Sequence, residues 1–406
     1  MYIKYKHQHF KEYFKLSKYL LLVFLTYSTF LFSQNKVIVG AERPELYINS
    51  LIGRRVGLVA NQTSKIKKEH LVDVLLNEGV NVIKVFSPEH GFRGKSDAGE
   101  KVKDEIDLQT GLPIYSLYGK SKRKPSKEIL KDIYIIVFDL QDVGVRFYTY
   151  ISSLHYVMEA CAENNVQLIV LDRPNPNGFY VDGPILDLKF KSFVGMHPIP
   201  VVHGMTVGEY AKMINGEKWL NNMVQCSLEI IPCLNYNHNT RYILPIPPSP
   251  NLPNMRSVYL YPSLCFFEGT NVSIGRGTKF PFQVFGAPYF TKKEFSFTPN
   301  STYGSKNPKY KSTICYGTDL RTISLDTLKN LKKLNLNWLV NSYKISNESA
   351  DFFKKNNFFN LLSGSDKLMN LVKGGANPKH IYETYQKELN EFKTLRKHYL
   401  MYDDFE

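Results

Sequence analysis

Cysteine is scarce in this sequence, and its placement argues against two kinds of site. The five cysteines are an odd number, so they cannot all pair, and none belongs to a C-x-x-C motif. Cys226 and Cys233 flank a predicted strand that would hold them too far apart for a disulfide. This pattern argues against a structural zinc site and against reactive thiol chemistry, so we expect no bound metal. The five are Cys161, Cys226, Cys233, Cys265 and Cys315.

Several signature motifs are also absent. No G-x-G-x-x-G follows a predicted strand, which argues against a nicotinamide cofactor, and there is no G-x-x-x-x-G-K-[ST] phosphate loop. H-E-x-x-H and G-x-S-x-G are missing as well, so neither a zinc peptidase helix nor the nucleophile elbow of a serine hydrolase is encoded. Carboxylates, amides, arginines and aromatic side chains remain as the groups available for chemistry.

The N-terminus differs from the rest of the chain. Five lysines among the first 18 residues precede an apolar run from Tyr19 to Phe32, which ends at Ser33. This layout predicts a secretory signal peptide over residues 1–33. A membrane anchor is the alternative, but the run is shorter than the about 20 apolar residues that span a bilayer. We expect cleavage near Ser33, no stable membrane insertion afterwards, and a periplasmic or secreted protein.

The chain is strongly basic, with a formal net charge of +15 at pH 7. Removal of residues 1–33, which hold five lysines and Glu12, would leave +11. A basic exported protein is attracted to anionic polymers, either nucleic acid or bacterial cell wall. The basic residues are scattered and no aromatic-and-basic RNA motif is present, which argues against nucleic acid. We therefore expect a cell-wall partner.

Short apolar runs alternate with amphipathic helical patterns, which predicts an α/β fold with a parallel sheet and covering helices. The 406 residues exceed what one hydrophobic core usually supports, and a proline-rich texture begins near Tyr242, so we expect domains over residues 34–240 and 241–406. The predicted strands are Arg55–Ala60, Asn81–Phe86, Ile133–Leu140, Gln167–Asp172 and Leu228–Pro232. The predicted helices are Lys65–Glu78, Tyr148–Asn164, one opened by a capping box at Thr206 and Glu209, Ser324–Tyr343, and one after Asn377-Pro378.

Polar residues follow each of the first four predicted strands. The carboxyl ends of parallel strands meet at one edge of a sheet, where ligands bind in open α/β folds. Structural alternatives remain open for each cluster: a turn at residues 175–178, a helix cap at Ser64, and surface ion pairs between Asp142 and Arg146 or between Glu89 and Arg93. The clusters are Asn61–Ser64, Ser87–Gly94, Gln141–Tyr148 and Asp172–Gly178.

The clusters contain carboxylates, amides, arginines and aromatic rings, which together suit carbohydrate. Amides and carboxylates bind sugar hydroxyls, and arginine binds a sugar carboxylate as a two-pronged fork. A glycosidase needs one carboxyl group that protonates the leaving oxygen and usually a second group on the other face. Glu89 fits the first role, because it follows a buried strand and a proline that fix its backbone. Asp142, Asp172 and Glu268 compete for the second.

The sequence from about Val37 to Tyr402 resembles the exo-β-N-acetylmuramidases, also called NamZ or YbbC-like proteins. The motifs that carry the resemblance are VGLVANQTS, FSPEHGFRG, GLPIYSLYG, FDLQDVGVRFYTYISSL, DRPNPNG, VHGMTVGEYA, FEGTNVSIGRGT and FGAP, in this order. The resemblance implies a Rossmann-like domain plus a smaller C-terminal α/β domain, with the active site in the cleft between them. It implies removal of N-acetylmuramic acid from the non-reducing end of peptidoglycan fragments without a cofactor. It also implies that the glutamate of S-P-E-H-G, here Glu89, is the catalytic acid.

These inferences combine into a mechanistic hypothesis. Glu89 protonates the glycosidic oxygen, and His90 orients Glu89. Asp142, or else the acetamido carbonyl of the substrate, assists at the anomeric carbon. Arg146 or Arg276 pairs with the lactyl carboxylate that distinguishes muramic acid from glucosamine. The other residues expected to bind substrate are Asn61, Arg93, Gln141, Tyr148, Asp172, Arg173, Asn175, His203, Glu268 and Asn271. A non-catalytic sugar-binding or cell-wall-binding protein is the alternative function.

Overall fold

A seven-stranded, mostly parallel sheet organises the fold. The structure is a computed structural model and describes residues 36–89, 91–93, 104–119, 123–291, 293–347, 349 and 351–406. In spatial order the strands are β5 (Glu105–Ile106), β6 (Pro113–Ser116), β4 (Asn81–Ser87), β1 (Arg55–Ala60), β7 (Ile135–Asp139), β8 (Gln167–Leu171) and β9 (Leu228–Ile231). The edge strand β5 is antiparallel to β6, and the other neighbouring pairs are parallel.

The sheet confirms the predicted α/β class and all five predicted strands, whose bounds differ from the structure by two residues at most. Continuous burial explains why these strands could be predicted: every residue of β7 is buried, and so is every residue of β1 after Arg55. The prediction missed β5 and β6. Both are short, and only two residues of β6 are buried, so neither produces a long apolar run.

Helices cover the sheet and build the C-terminal part. The long helix after Asn377 is confirmed, because the Asn377 side chain accepts a hydrogen bond from the His380 N–H and Pro378 lies in the first turn. The capping box of Thr206 and Glu209 is confirmed as well. The helices are α1 (Ile48–Leu51), α2 (Leu71–Asn77), α3 (Lys127–Leu130), α4 (Tyr150–Glu163), α5 (Val207–Gly216), α6 (Met255–Leu264), α7 (Leu325–Asn330), α8 (Asn337–Ile345), α9 (Phe358–Ser363), α10 (Lys367–Lys373) and α11 (Pro378–Lys397).

Two predicted helices were wrong in extent. The helix predicted over Lys65–Glu78 begins only at Leu71, because residues 65–70 form a hairpin of β2 (Lys65–Ile66) and β3 (Glu69–His70) around Lys67, whose φ is +55°. The helix predicted over Ser324–Tyr343 is split into α7 and α8. The chain turns between them at Lys332, whose φ is +44°.

The C-terminal part carries its own antiparallel sheet, in the order β10 (Val284–Ala287), β12 (Cys315–Asp319) and β11 (Ser296–Phe297). One hydrophobic cluster runs from Phe138 on the main sheet to Leu389 on α11. Residues Ile38–Glu406 accordingly form one compact unit, so the domain boundary predicted at residue 240 stays a prediction. All five cysteines are buried free thiols.

The described part of the chain contains no helix with the length and apolar character needed to span a membrane. The predicted signal peptide, residues 1–33, lies outside the described residues.

Candidate active site

Glu89 lies two residues beyond the end of β4, at the carboxyl edge of the sheet, and its side chain is half-buried. Hydroxyl groups from two other elements contact its carboxylate. Thr149, the residue before α4, donates from Oγ1 to Oε2 at 3.2 Å. Tyr118, just after β6, hydrogen-bonds to the same carboxylate; burial and the charge of Glu89 raise the Tyr118 pKa, so its phenol stays protonated and donates. His90, predicted to orient Glu89, lies outside the described residues.

Glu268 reaches the same region from the C-terminal part of the chain. It lies in the 3₁₀ turn Cys265–Gly269 and forms an ion pair with Arg276, whose Nε donates to Oε1 at 2.8 Å. Both side chains keep about a quarter of their surface exposed, 24% and 26% respectively. After burial, the charges of Glu89 and Glu268 also raise the pKa of Tyr118, so both carboxylates lie near this phenol.

Lys309 fixes the segment that carries Glu268. Its Nζ donates to the carbonyl oxygens of Phe267 at 3.2 Å, Thr270 at 2.5 Å and Val272 at 2.7 Å. Burial, reinforced by the charge of Lys354, lowers the pKa of Lys309 to about 7. Asn271, which was predicted to bind substrate, donates a hydrogen bond from its side-chain amide to the Asp351 carbonyl. This bond also holds the segment in place.

Asp142 is a buried carboxyl group with one unsatisfied oxygen. The Gly144 N–H donates to its Oδ2 at 2.6 Å, whereas Oδ1 is buried and has no hydrogen-bond partner within the described residues. Burial raises the pKa of Asp142 to about 7. Gly144 has a φ of +73°, and a Cβ there would meet the Asn175 amide at 2.0 Å, so only glycine fits. Burial is the main cause that raises the pKa of Tyr150, and the charges of Glu89 and Asp142 raise it further. Both carboxyl groups therefore lie near that phenol.

Arg146 does not face this region. Its side chain is fully buried, and its guanidinium donates to the carbonyl oxygens of Pro184 at 2.7 Å, Ile199 at 2.6 Å and Leu362 at 2.9 Å. This arrangement argues against the predicted contact with a substrate carboxylate, because the fork is already occupied in the core. It also removes the alternative of a surface ion pair between Arg146 and Asp142.

Asp172 and Arg173 are buried beneath the carboxyl edge of the sheet and bind other parts of the protein. Asp172 is fully buried and accepts hydrogen bonds from Thr206 Oγ1 at 2.7 Å, the Gly208 N–H at 2.8 Å and the Tyr402 hydroxyl at 2.7 Å. Burial raises its pKa to about 6 although these donors oppose the shift. Arg173 forms a buried ion pair with Asp139 at 2.5 Å. These contacts argue against Asp172 as the second catalytic group and against Arg173 as a ligand to substrate.

The remaining predicted wall residues at the sheet edge are also buried and bind the protein itself. Asn61 donates to the Tyr150 hydroxyl at 2.8 Å, and burial lowers the pKa of His203 to about 3. Their burial argues against direct contact with substrate, and their hydrogen bonds show a supporting role. These residues are Asn61, Gln141, Tyr148, Asn175 and His203.

The structural alternatives for two other residues also change. Arg93 is half-buried and forms its ion pair with Asp107, at 2.7 Å, instead of with Glu89. Ser64 Oγ donates to the Asp139 carbonyl and accepts the Asn61 N–H, so it braces two strand ends instead of capping a helix.

The groups at this edge that a substrate could contact are therefore a small set around Glu89. A half-buried carboxylate held by hydroxyl donors, with a further carboxyl group nearby, suits general acid catalysis. Within the described residues, no group of three or more His, Cys, Asp or Glu side chains could hold a metal ion. Sequence reasoning missed Tyr118, Thr149 and Lys309. Tyr118 could have been found from the segment PIYS, since a further parallel strand there brings its end to the same edge.

Comparisons with known proteins agree with the resemblance in the motifs. Residues 56–256 match the family described as "Exo-beta-N-acetylmuramidase NamZ, N-terminal", and residues 259–402 match its C-terminal counterpart. The chain is 37% identical over 374 residues to peptidoglycan beta-N-acetylmuramidase NamZ of Bacillus subtilis strain 168, an alignment that covers 88% of this chain and 89% of that protein.

Two solved structures of DUF1343 family proteins from Bacteroides fragilis NCTC 9343 are also similar. The first has a TM-score of 0.85 and 47% identity, and covers 91% of this chain and 100% of its own. The second has a TM-score of 0.78 and 30% identity, and covers 90% of this chain and 99% of its own. The chain therefore belongs to the NamZ family of exo-β-N-acetylmuramidases.

Proposed function

We propose that this chain is an exo-acting glycoside hydrolase that releases N-acetylmuramic acid from the non-reducing end of peptidoglycan fragments. Membership of the NamZ family supports the reaction and the substrate class. The observation that carries the mechanism is the half-buried Glu89 at the sheet edge, held by Thr149 and Tyr118 and close to further carboxyl groups. No step of this mechanism needs a metal or an organic cofactor.

In the proposed reaction Glu89 protonates the glycosidic oxygen as the bond to the anomeric carbon breaks. The hydroxyl donors from Thr149 and Tyr118 restrict rotation of the carboxyl group, so that one orientation is held toward the substrate. Glu268 is the weaker choice for this acid, because its carboxylate is committed to Arg276.

The group that assists at the anomeric carbon is either Asp142 or the acetamido carbonyl of the substrate. Asp142 is as buried as the residues whose burial argues against contact with substrate, and with a pKa of about 7 it is partly protonated at neutral pH. Both features weaken it as a nucleophile. A substrate whose acetyl group is replaced by trifluoroacetyl separates the two routes, because fluorine withdraws electrons from the carbonyl oxygen. A steep fall in kcat/KM assigns the assistance to the substrate, whereas a small effect combined with inactivity of Asp142→Asn assigns it to Asp142.

Defined disaccharides test the proposed function directly. Purified protein should release free N-acetylmuramic acid from a disaccharide with this sugar at the non-reducing end, and should leave the reversed disaccharide intact. Products are separated by liquid chromatography and identified by mass. Binding of the first disaccharide without any release of sugar would contradict the proposal and favour a sugar-binding protein. Cleavage inside longer chains would contradict the exo-acting mode.

We also propose that the protein is exported, on the basis of the lysine-rich and apolar residues 1–33. The basic charge that remains after cleavage would draw the protein toward the anionic cell wall. Expression of the full chain in a bacterium should give a mature protein in the periplasm or medium whose N-terminus begins near Gln34. A cytoplasmic protein that retains residues 1–33 would contradict this proposal.

A further inference from the structure

Arg123 lies near Tyr118, one of the residues that contact the Glu89 carboxylate. Its guanidinium carbon lies 4.3 Å from the centroid of the Phe193 ring. Phe193 is buried and packs edge-on against Tyr118, with ring centroids 6.2 Å apart. Because Tyr118 hydrogen-bonds to Glu89, the stack of Arg123 on Phe193 is one ring away from the proposed catalytic acid. A planar guanidinium stacked on an aromatic face keeps its edge free for hydrogen bonds.

The donors of Arg123 are also not used up by the protein. Its Nε is buried and has no hydrogen-bond partner within the described residues, and Arg123 forms no ion pair there. A buried donor without a partner is costly, so a ligand that supplies an acceptor gains free energy by satisfying it. The half-buried side chain leaves a path for such a ligand.

The other arginines near the sheet edge already have partners. Arg146 donates to three core carbonyls through its terminal nitrogens; its Nε also has no partner within the described residues, but the side chain is fully buried, so a ligand does not reach it. Arg276 is paired with Glu268. Arg173 is paired with Asp139, and Arg93 with Asp107. The two residues predicted to bind the lactyl carboxylate, Arg146 and Arg276, are thus committed elsewhere.

Arg123 is also close enough to the candidate active site to act electrostatically on Tyr118. Its charge lowers the Tyr118 pKa, opposing the effects of burial and of Glu89, which raise it. A substrate that carries its own carboxylate would be repelled by this region without a cation to receive it. Arginine binds a carboxylate through two parallel N–H donors, which gives both affinity and orientation.

We propose that Arg123 binds the lactyl carboxylate of N-acetylmuramic acid and thereby selects muramic acid over N-acetylglucosamine. This assignment rests on the proposed function. It assigns specificity to Arg123, whose guanidinium stacks on Phe193 and keeps donors without partners, instead of to the buried Arg146.

The test compares three 4-nitrophenyl β-glycosides: that of N-acetylmuramic acid, the same compound with the lactyl carboxylate capped as a methyl amide, and that of N-acetylglucosamine. Arg123→Ala should lower kcat/KM for the first by roughly 10- to 100-fold, mainly through KM, as expected for loss of hydrogen bonds to a charged group. It should change kcat/KM little for the other two. Arg123→Lys keeps the charge without the fork and should fall between wild type and Arg123→Ala. Arg241→Ala, at an exposed arginine paired with Asp326, is the matched control and should behave as wild type.

Equal losses on the charged and the capped substrate would overturn the assignment, and so would an unchanged preference for muramic acid in Arg123→Ala. If the wild type hydrolyses none of these glycosides, the proposed function fails, and calorimetric titration with free N-acetylmuramic acid still tests Arg123. Wild type should bind this sugar more tightly than N-acetylglucosamine, and Arg123→Ala should bind both equally. Retention of that difference by Arg123→Ala would contradict the assignment.

Discussion

Replacing Asp142 with asparagine should make the protein more stable at neutral and alkaline pH. Burial raises the pKa of Asp142 from its ordinary 3.8 to about 7. Between these values the folded chain holds a proton that the unfolded chain has released, so the free energy of unfolding falls as the pH rises. A shift of about three units at ~1.4 kcal/mol per unit amounts to roughly 4 kcal/mol lost above pH 7. Asparagine keeps the shape but cannot ionise, so its folded state escapes this loss.

Urea unfolding at several pH values measures the effect. Wild type and Asp142→Asn should have nearly equal free energies of unfolding at about pH 4, where both side chains are neutral, and should diverge up to the full difference at about pH 8. Asp132→Asn, at an exposed carboxyl group, controls for the loss of one charge. Parallel pH profiles for wild type and Asp142→Asn would refute the reasoning, because they would mean that Asp142 is ionised in the folded protein across this range.

Further substitutions distinguish residues that stabilise the structure at this edge from residues that act on the substrate. Arg173→Met leaves the buried Asp139 without its partner and should lower the free energy of unfolding by about 3–5 kcal/mol in urea titrations; near-normal stability would contradict the buried ion pair. Arg146→Lys replaces two separate donor nitrogens, which bind the Pro184, Ile199 and Leu362 carbonyls, with one ammonium nitrogen, so it should lower the melting temperature and leave KM for muramic acid substrates unchanged. A raised KM with normal stability would instead show that Arg146 binds substrate. Lys309→Met removes three hydrogen bonds, so amide hydrogen exchange in residues 265–272 should accelerate and kcat should fall; unchanged exchange would contradict its role.

The sheet and the position of Glu89 could be predicted because both depend on local patterns. Strands buried on both faces form continuous apolar runs, and their polar ends identify the ligand-binding edge. Glu89 lies two residues beyond β4, whose last three residues are buried. The same reasoning found Asp142, whose burial and raised pKa then emerge from the packing around it.

The sequence could not predict which residues at that edge are accessible and which are buried in a supporting role. That distinction depends on partners far away in the sequence. Asp172 follows a strand just as Glu89 does, but the Tyr402 hydroxyl, 230 residues later, binds it in the core. Arg146 is fixed by the Leu362 carbonyl, 216 residues away. The proposed role of Arg123 could not be predicted from the sequence either, because it depends on the stack with Phe193 and on the proximity of Tyr118.

The account depends most on Glu89 as the acid, and leaving-group dependence measures this directly. Glu89→Gln and wild type are compared on two substrates: the muramic-acid-terminated disaccharide, whose sugar leaving group needs a proton, and the 2,4-dinitrophenyl muramide, whose leaving group does not. We predict that Glu89→Gln lowers kcat/KM for the disaccharide by roughly 100-fold or more and only slightly for the dinitrophenyl compound. Equal losses on both substrates, or near-normal turnover of the disaccharide, would contradict Glu89 as the catalytic acid.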